Sequence, residues 1–440
     1  MNSTIFPSLP SYLNLPSIQA LVIIYTPLIY LTIILLPTLP ILLNIQNSNL
    51  PPGPWYTHFT NLVLKYHEWN GNRRIYIHNL HKKHGDSVRI GVNEFAFCGS
   101  EGVKGVYGNE GGELDKTRFY GLFRQLGVRT TFSTETRLEH KEKKKHIAKP
   151  YRNSEIIKPA IIDGIEERSQ AFLRKIEDSE NGFIDVYRYA HCFALDCASH
   201  FLLGKMGIKS IEEKTGMEIM EEMTYHSSLK KTQIAAEILD HLAAGIDTTG
   251  ASLTYLLHTL SLPSNLPIQE KLHLSLNSQP HTPKSENPSA PYLNAIINET
   301  LRLYPPIPMS QPRLTSPSTP RIINQYLIPP NSTISIQAWS LHRNPAIFGD
   351  EAETFCPERW LVDEDRVREM ERGFLAFGRG GRACTGKDLA LAEMRHLIRR
   401  IYTQYRTKIV EGYEADMEME DQIISSRPRG QECMLIFEKR

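Results

Sequence analysis

The chain has 440 residues, of which 41% are hydrophobic and 22% are charged, and its formal net charge is +1. A balance so close to zero argues against nucleic-acid binding, which usually needs a basic excess, while the length allows a large buried core. The six cysteines form no CxxC pair, so we interpret them as reduced thiols facing a cytosol-like compartment.

The first part of the chain is uncharged and apolar. No Asp, Glu, Lys or Arg precedes Lys65, and residues 18–45 read IQALVIIYTPLIYLTIILLPTLPILLNI. Since about 20 apolar residues in a helix cross a bilayer core, we expect residues 1–50 to form a membrane anchor with one transmembrane helix. A cleaved signal peptide is the alternative, but the segment lacks a basic start and a small-residue cleavage site. The first cations downstream are Lys65, Arg73, Arg74, Lys82 and Lys83. By the positive-inside rule they place the large domain in the cytosol.

The remaining residues, 51–440, are predicted to form one mainly α domain with a minor β-sheet, an α+β class. The stretch SVRIGVNEFAFCG, residues 87–99, predicts a small sheet, and residues 134–204 are predicted to be mainly helical. Residues 233–260 repeat apolar side chains with a helical period for over seven turns, which predicts a long helix through the core. Short strands are expected within residues 323–339, and one more helix is expected to close the chain after Cys384.

The stretch FGRGGRACTG, residues 377–386, carries the strongest chemical signal. Cys384 precedes a predicted helix, where exposed N–H groups and the helix dipole stabilise a thiolate. Gly378, Gly380 and Gly386 allow turns closed to residues with a Cβ and let a flat cofactor approach. We therefore interpret Cys384 as an iron ligand. A packed or idle thiol is the alternative.

Two further patterns are candidates for a site. Glu299 and Arg302 lie three residues apart on one predicted helix face and can pair, although a surface ion pair is the simpler interpretation. Residues 244–249, AGIDTT, place Gly, Asp and two Thr inside a strong helix, where threonine hydroxyls can bond back to carbonyls and open the helix. Residues that are unfavourable in a helix interior tend to occur at functional positions, so this stretch is a candidate site. A helix bend required for packing is the alternative.

Together these motifs resemble the cytochromes P-450, and the resemblance covers residues 51–440. The fixed places of that family's haem-binding loop are filled here by Phe377, Gly378, Gly380, Arg382, Cys384 and Gly386. Glu299 and Arg302 match the family's ExxR pair, and Arg359, in PERW, matches the arginine that completes its triad. Residues 244–249 match its oxygen-activating stretch. The apolar start and the PPGP that follows it are similar to microsomal members, fungal ones most of all.

The resemblance implies a role for each matching residue. Cys384 would be the axial thiolate on the iron of haem b, and Asp247 and Thr248 would relay protons to bound dioxygen. Phe377 and Gly378 would belong to the cofactor loop. The expected propionate partners are Arg382, His140, Lys144 and Arg313. Glu299, Arg302 and Arg359 would form a buried ion-pair network that supports the haem loop.

One segment departs from the family pattern. Only residues 205–232 separate the segment CFALDCASHFLLG, residues 192–204, from the long helix, where the family has a much longer stretch that roofs the substrate pocket. Either the coding sequence has lost an exon at residues 205–232 or the protein lacks its lid. Without a lid, water would reach the iron, and activated oxygen would leak as peroxide.

The resemblance implies a single-pass protein of the endoplasmic reticulum membrane that inserts one atom of O2 into a small lipophilic substrate, in secondary metabolism or detoxification. Electrons would come from NADPH through a cytochrome P-450 reductase, with cytochrome b5 as a further partner. Two alternatives stay open. One is a lidless haem-binding protein with little or no activity, and the other is thiolate-haem chemistry without a reductase.

Overall fold

The computed structural model describes residues 25–33, 49–108, 114–212, 229–278 and 290–440. The chain divides into two units, Met1–Leu50 and Pro51–Arg440. In the first unit residues 25–33 are helical and exposed, and the rest of the predicted transmembrane segment lies outside the described residues. Among the described residues, no helix combines the length and the apolar character needed to cross a membrane.

The second unit is mainly helical with a minor sheet component, which confirms the predicted class. Its helices, in the part that is described, are α1 (Leu62–Trp69), α2 (Arg73–His84), α3 (Ser100–Tyr107), α4 (Arg137–Ile147), α5 (Asn153–Ile156), α6 (Pro159–Glu177), α7 (Val186–Leu203), α8 (Leu229–Ser261), α9 (Leu266–Asn277), α10 (Pro291–Leu303), α11 (Ala338–Leu341), α12 (Pro345–Phe348), α13 (Glu364–Gly373) and α14 (Lys387–Gln404).

Twelve short strands in the described residues form the sheets. They are β1 (Ser87–Gly91), β2 (Glu94–Phe97), β3 (Asp115–Lys116), β4 (Phe183–Asp185), β5 (Arg313–Leu314), β6 (Arg321–Ile323), β7 (Tyr326–Ile328), β8 (Thr333–Ile336), β9 (Tyr405–Ile409), β10 (Met419–Asp421), β11 (Ser426–Pro428) and β12 (Met434–Lys439). The largest sheet has the order β1-β2-β8-β5-β3, with β2 and β8 parallel in the register Phe95 to Ile334. A second sheet, β4-β12-β9, is antiparallel, and Leu435 on β12 faces both Ile184 and Ile409.

The C-terminal strands correct the prediction that a helix closes the chain. Strands β9 to β12 follow α14, and β12 returns to pair with β4 near the start of α7. The alternating apolar residues of β12, Leu435 and Phe437, are buried in the main core. Such strands are held by partners distant in sequence, so their local pattern is a weak signal.

The main core lies between α6, α7, α8, α9, α10 and α14. The predicted long helix is present as α8, but its two halves differ in burial. Nearly every residue from 249 to 261 is buried, whereas in residues 232–248 burial is confined to Ala236, Asp240 and Leu242. Only the C-terminal half of α8 therefore passes through the core.

Candidate active site

The cysteine loop, residues 377–386, is a tight turn before α14. Gly378 and Gly380 have φ angles of 65° and 72°, in the left-handed region where a Cβ is unfavourable. A Cβ on Gly380 would lie 2.3 Å from the carbonyl oxygen of Tyr107. Gly386 corrects the prediction, because its φ is −83° and a Cβ there would make only an ordinary contact. Two of the three glycines are thus required by the local backbone.

Cys384 is held at the end of this turn by its own N–H, which donates to the carbonyl oxygen of Phe377 at 2.8 Å. Its side chain is exposed. The surrounding protein atoms raise the pKa of the thiol, and a backbone hydrogen bond from Gly386 and the charge of Lys144 act against this rise. The predicted stabilisation of the thiolate is therefore present, but the desolvation of the sulfur by surrounding protein atoms outweighs it. The residue nevertheless remains accessible, so a ligand can approach it.

Two cations join the loop to α4 and to the segment before it. Lys144 donates from Nζ to the carbonyl oxygens of Gly381 and Ala383, at 2.8 and 3.3 Å. Arg382 donates from its two Nη atoms to the carbonyl oxygens of Thr134 and Glu135, at 2.7 and 2.8 Å. These bonds fix the loop against the segment that leads into α4.

The predicted propionate partners are brought into one cluster. Burial, followed by the charges of Arg382, Lys116, Lys144 and Arg313, lowers the pKa of His140 to about 3. Arg313 lies on β5 and donates to the hydroxyl of Tyr120 at 3.1 Å. A cluster of four cations around a neutral histidine favours a ligand with negative charge.

Lys116 belongs to this cluster and was not among the predicted residues. It lies on β3, which pairs with Arg313 on β5, and its side chain is buried between the rings of Tyr120 and Phe132. Burial and the neighbouring arginines lower its pKa well below the ordinary value. Within the described residues no carboxylate reaches salt-bridge distance of its ammonium. No sequence signal marks it, because the cluster forms only when β3 and β5 pair.

The predicted structural triad forms a buried ion-pair network. Glu299 and Arg302 are completely buried and make a bidentate pair with two N–O distances of 2.8 Å. Arg359 donates from Nε to Glu299 at 3.0 Å. Trp360 Nε1 and the N–H of Cys356 donate to the same carboxylate. The carboxylate therefore has the hydrogen bonds that a buried charge requires.

His342 connects this network to the cysteine loop. Arg302 donates to the carbonyl oxygen of His342, and His342 Nδ1 lies 3.0 Å from the carbonyl oxygen of Arg302. On the other side, the N–H of Leu375 donates to His342 Nε2 at 2.8 Å. Burial lowers the pKa of His342 to about 3, so the ring is neutral and Nε2 can accept this bond. Leu375 lies two residues before the loop, and its carbonyl oxygen accepts a hydrogen bond from the N–H of Gly378 at 2.9 Å.

Asp247 and Thr248 lie on α8 in its less buried half. Thr248 donates from its hydroxyl to the carbonyl oxygen of Ala244 at 2.6 Å, as the sequence suggested, but the helix stays continuous. Asp247 is exposed and lies 3.5 Å from the hydroxyl of Ser425. Gly245 is explained by packing, since a Cβ there would lie 3.1 Å from the Cβ of Ala198 on α7.

A buried carboxyl that the sequence did not reveal joins α8 to α14. Glu393 on α14 is buried and shares a hydrogen bond with Thr249, the residue after Thr248. Burial raises the pKa of Glu393 to about 8, although this hydrogen bond lowers it. The helix that follows Cys384 is thereby tied to the helix that carries Asp247 and Thr248.

The donor set fits an iron-bound macrocycle with acidic side chains. Cys384 offers one accessible sulfur ligand, and the cationic cluster suits carboxylates such as propionates. Lys116 adds to this cluster an amine that donates to the carbonyl oxygen of Phe132 and lies against the rings of Tyr120 and Phe132. The fold and the site thus define a haem-thiolate protein.

Comparison with known proteins agrees with this class. The sequence profile of the family named Cytochrome P-450 matches residues 215–434, half of the chain. The chain therefore belongs to the cytochrome P-450 family, whose members use a haem iron and dioxygen.

The similar curated proteins include fungal monooxygenases. Cytochrome P-450 monooxygenase tazI of Aspergillus terreus is 25% identical over 503 aligned residues, covering 97% of this chain and 99% of the relative. Pisatin demethylase of Fusarium vanettenii is 24% identical and covers 82% of this chain and 85% of the relative. A monooxygenase of Aspergillus flavus is 33% identical over a shorter stretch, 40% of this chain and 36% of the relative.

Proposed function

We propose that this protein is a haem b-dependent monooxygenase that inserts one atom of O2 into a small lipophilic molecule. The observation that carries the proposal is the accessible Cys384 on a loop shaped by Gly378 and Gly380, next to the cationic cluster around His140. The bound haem would supply the activation of dioxygen. Cys384 would lose its thiol proton and hold the iron, and Arg382, Lys144, Lys116 and Arg313 would hold the two carboxylates.

Two residues on α8, Asp247 and Thr248, would supply protons during the reaction. Asp247 is exposed, so its carboxylate can exchange protons with solvent. Thr248 donates its hydroxyl hydrogen to the carbonyl oxygen of Ala244, so the lone pairs of Oγ1 can accept a hydrogen bond from a neighbouring water. Their adjacency supports a relay from solvent through Asp247 to a water held by Thr248.

The electron supply would be a separate NADPH-dependent cytochrome P-450 reductase, with cytochrome b5 as a further donor. The sequence has no flavin- or nicotinamide-binding motif, which supports an external source. The names of the relatives support small-molecule oxidation, one of them as a demethylase, and we place this chain in secondary metabolism or detoxification by the same chemistry.

A second candidate function, haem binding with poorly coupled turnover, has its own support. The structure describes residues 205–212 and then α8 from Leu229, so only residues 213–228 are available between them. Most residues in the N-terminal half of α8 are exposed or half-buried, so the protein covers this half incompletely. The alignment with the Aspergillus terreus relative spans 503 residues against 440 in this chain, so that relative contains additional residues. We propose that a shortened lid lowers the fraction of electrons that reach product.

Association with the endoplasmic reticulum membrane is part of the proposal. Besides the apolar segment at the start of the sequence, α1 exposes one aromatic face. The large side chains on and just before it are exposed by 73% at Trp55, 75% at Leu62, 63% at Tyr66 and 90% at Trp69. Trp and Tyr favour the interface between headgroups and acyl chains. These residues support a single-pass anchor followed by a surface that rests on the cytosolic leaflet.

The test is turnover by the full-length protein in lipid nanodiscs with reductase, NADPH and isotope-labelled O2. The proposal expects a product that contains one labelled oxygen atom, and Asp247→Asn and Thr248→Ala should divert electrons from product to peroxide. The poorly coupled alternative predicts NADPH consumption with peroxide as the main product in the wild type. Product formed at an equal rate from isotope-labelled hydrogen peroxide, without reductase, NADPH or O2, would instead show that no reductase is needed and would contradict the proposal.

A further inference from the structure

A chain of three polar side chains lies beside the cysteine loop and has no part in the function proposed above. The hydroxyl of Tyr151 lies 2.8 Å from Nδ1 of His241, and the two rings are nearly perpendicular. Nε2 of His241 lies 3.8 Å from a carboxylate oxygen of Glu237. Glu237 is fixed in turn by the N–H of Thr131, at 2.9 and 3.1 Å from its two oxygens.

The row of side chains from Tyr151 to Glu237 begins at the cysteine loop and ends near solvent. The ring of Tyr151 faces Gly386, two residues after Cys384, and a Cβ built on Gly386 would lie 3.8 Å from Tyr151 Cε1. On its other side the ring packs against Phe201, with ring centroids 4.6 Å apart. His241 and Glu237 lie on α8 with 16% of each side chain exposed. The phenol is therefore adjacent to the loop, and its base is within reach of small solutes.

The hydrogen bond has the direction that a redox-active tyrosine requires. Burial lowers the pKa of His241, although the charge of Glu237 acts against this, and favours the neutral ring. Because Nε2 faces the carboxylate of Glu237, we assign the ring hydrogen to Nε2, which leaves Nδ1 to accept the phenol hydrogen bond. A phenol that loses an electron becomes a strong acid and must release its proton. Here the proton can move directly to Nδ1, and the imidazolium that results faces the carboxylate of Glu237.

We propose that Tyr151 and His241 form a redox-active pair that gives an electron to the haem centre after a peroxide has oxidised it in the absence of substrate. This inference rests on the proposed haem binding. Bound haem would supply the two-electron reduction of the peroxide to water and would then hold two oxidising equivalents. Tyr151 returns one electron to that centre while its O–H bond breaks and the proton forms a bond to His241 Nδ1. The products are a neutral tyrosyl radical, an imidazolium and a haem centre with one oxidising equivalent left.

The radical is then removed by an external one-electron reductant such as ascorbate. This reductant supplies an electron to the Tyr151 oxygen, and the proton returns from His241, which restores the resting pair. Such a route suits a protein with a short lid, because unproductive oxidation of the haem centre is then frequent. The pair would direct the oxidising power away from the porphyrin and from Cys384.

The test uses full-length, haem-loaded protein whose thiolate ligation has first been verified by its reduced carbon monoxide spectrum. The protein is mixed with hydrogen peroxide without substrate, freeze-quenched and examined by electron paramagnetic resonance. Tyr151→Phe keeps the ring against Gly386 and Phe201 and removes only the hydroxyl. Tyr66→Phe, on the exposed face of α1, is the matched control.

We expect a tyrosyl radical signal in the wild type and in Tyr66→Phe, its loss in Tyr151→Phe, and a weaker signal with altered hyperfine structure in His241→Gln. Haem bleaching by peroxide should be faster in Tyr151→Phe, and ascorbate should remove the signal in the wild type. An unchanged radical signal in Tyr151→Phe would overturn the pair while leaving the haem-thiolate assignment intact. If the reduced carbon monoxide spectrum shows no thiolate ligation, both the redox-active pair and the haem-thiolate assignment are overturned.

Discussion

Glu299 accepts hydrogen bonds from three side chains and one backbone N–H, and its carboxylate is completely withdrawn from water. A charge so enclosed is stable only while its partners remain, because each would otherwise be a buried ion without compensation. Since His342 links Arg302 to Leu375, a disturbance at Glu299 reaches the cysteine loop. The ion pair is therefore a structural part of the site.

Glu299→Ala should destabilise the folded protein by about 3–5 kcal/mol, because it leaves Arg302 and Arg359 as buried cations. Chemical denaturation measures this free energy of unfolding. Glu68→Ala is the control, since Glu68 pairs with Lys65 in an exposed ion pair worth about 0–1 kcal/mol. Equal effects of the two substitutions would show that the triad contributes no more than a surface pair.

Gly380→Ala and Gly386→Ala separate the two kinds of glycine in the cysteine loop. Gly380 has a positive φ and faces the carbonyl oxygen of Tyr107, so its substitution should cost more than about 1–2 kcal/mol of unfolding free energy. Gly386 has neither constraint, and its substitution should change stability by about 1 kcal/mol or less. Chemical denaturation of the haem-free protein measures both changes in unfolding free energy. A larger loss in Gly386→Ala would contradict this backbone geometry.

Glu393 should make stability depend on pH. Burial raises its pKa from 4.5 to about 8, so between these values the folded protein keeps a proton that the unfolded chain has released. The stability from this group is complete below pH 4.5 and is lost as pH rises towards 8, with a slope of about 1.4 kcal/mol per pH unit. Gln does not titrate, so Glu393→Gln does not lose stability in this way as pH rises. Its stability relative to the wild type should therefore increase from pH 5 to pH 8, and parallel curves would refute the raised pKa.

At the scale of elements, α8 is one helix with two environments. Residues 249–261 are almost entirely enclosed by the main core, whereas the preceding half carries exposed residues such as Ile234, at 63%. The exposed half includes Asp247, so the solvent access that a proton relay needs belongs to the N-terminal half of α8.

Leu256→Ala and Ile234→Ala compare these two halves. Leu256 is fully buried, so its truncation should cost about 2–5 kcal/mol of unfolding free energy. Ile234 is mostly exposed, and its truncation should cost about 0.5 kcal/mol or less. Denaturant titration of both variants is sufficient. A cost at Ile234 as large as that at Leu256 would show that the N-terminal half of α8 is covered by other parts of the chain.

How far the sequence predicts these elements depends on whether the signal is local. The period of α8, the turn at Gly380 and the spacing of Glu299 and Arg302 each lie within a few consecutive turns, and the sequence indicates all three. Lys116 joins its cluster only through the pairing of β3 with β5, and Glu393 gains its raised pKa only where α14 meets α8. Strand β12 depends on partners far away in the chain. Contacts of this kind leave no local pattern to read.

At the scale of the whole molecule, the cationic cluster and the buried triad are both linked to the cysteine loop, although they come from distant parts of the chain. Lys144 bonds to the loop directly, and the triad reaches it through His342 and Leu375. The helices α4, α8 and α14 are tied to this region by Lys144, Thr249 and Glu393. We propose that the short segment between α7 and α8 bears on coupling of turnover more than on haem binding. The two properties can therefore be tested separately.

The central claim is that Cys384 ligates haem iron as a thiolate. The most direct measurement is the absorption spectrum of the ferrous carbon monoxide complex of the full-length protein, compared with Cys384→Ala. The wild type is predicted to show the long-wavelength Soret band of thiolate ligation, and Cys384→Ala is predicted to lose it. A band of the imidazole type in the wild type, or an identical spectrum in Cys384→Ala, would contradict the claim.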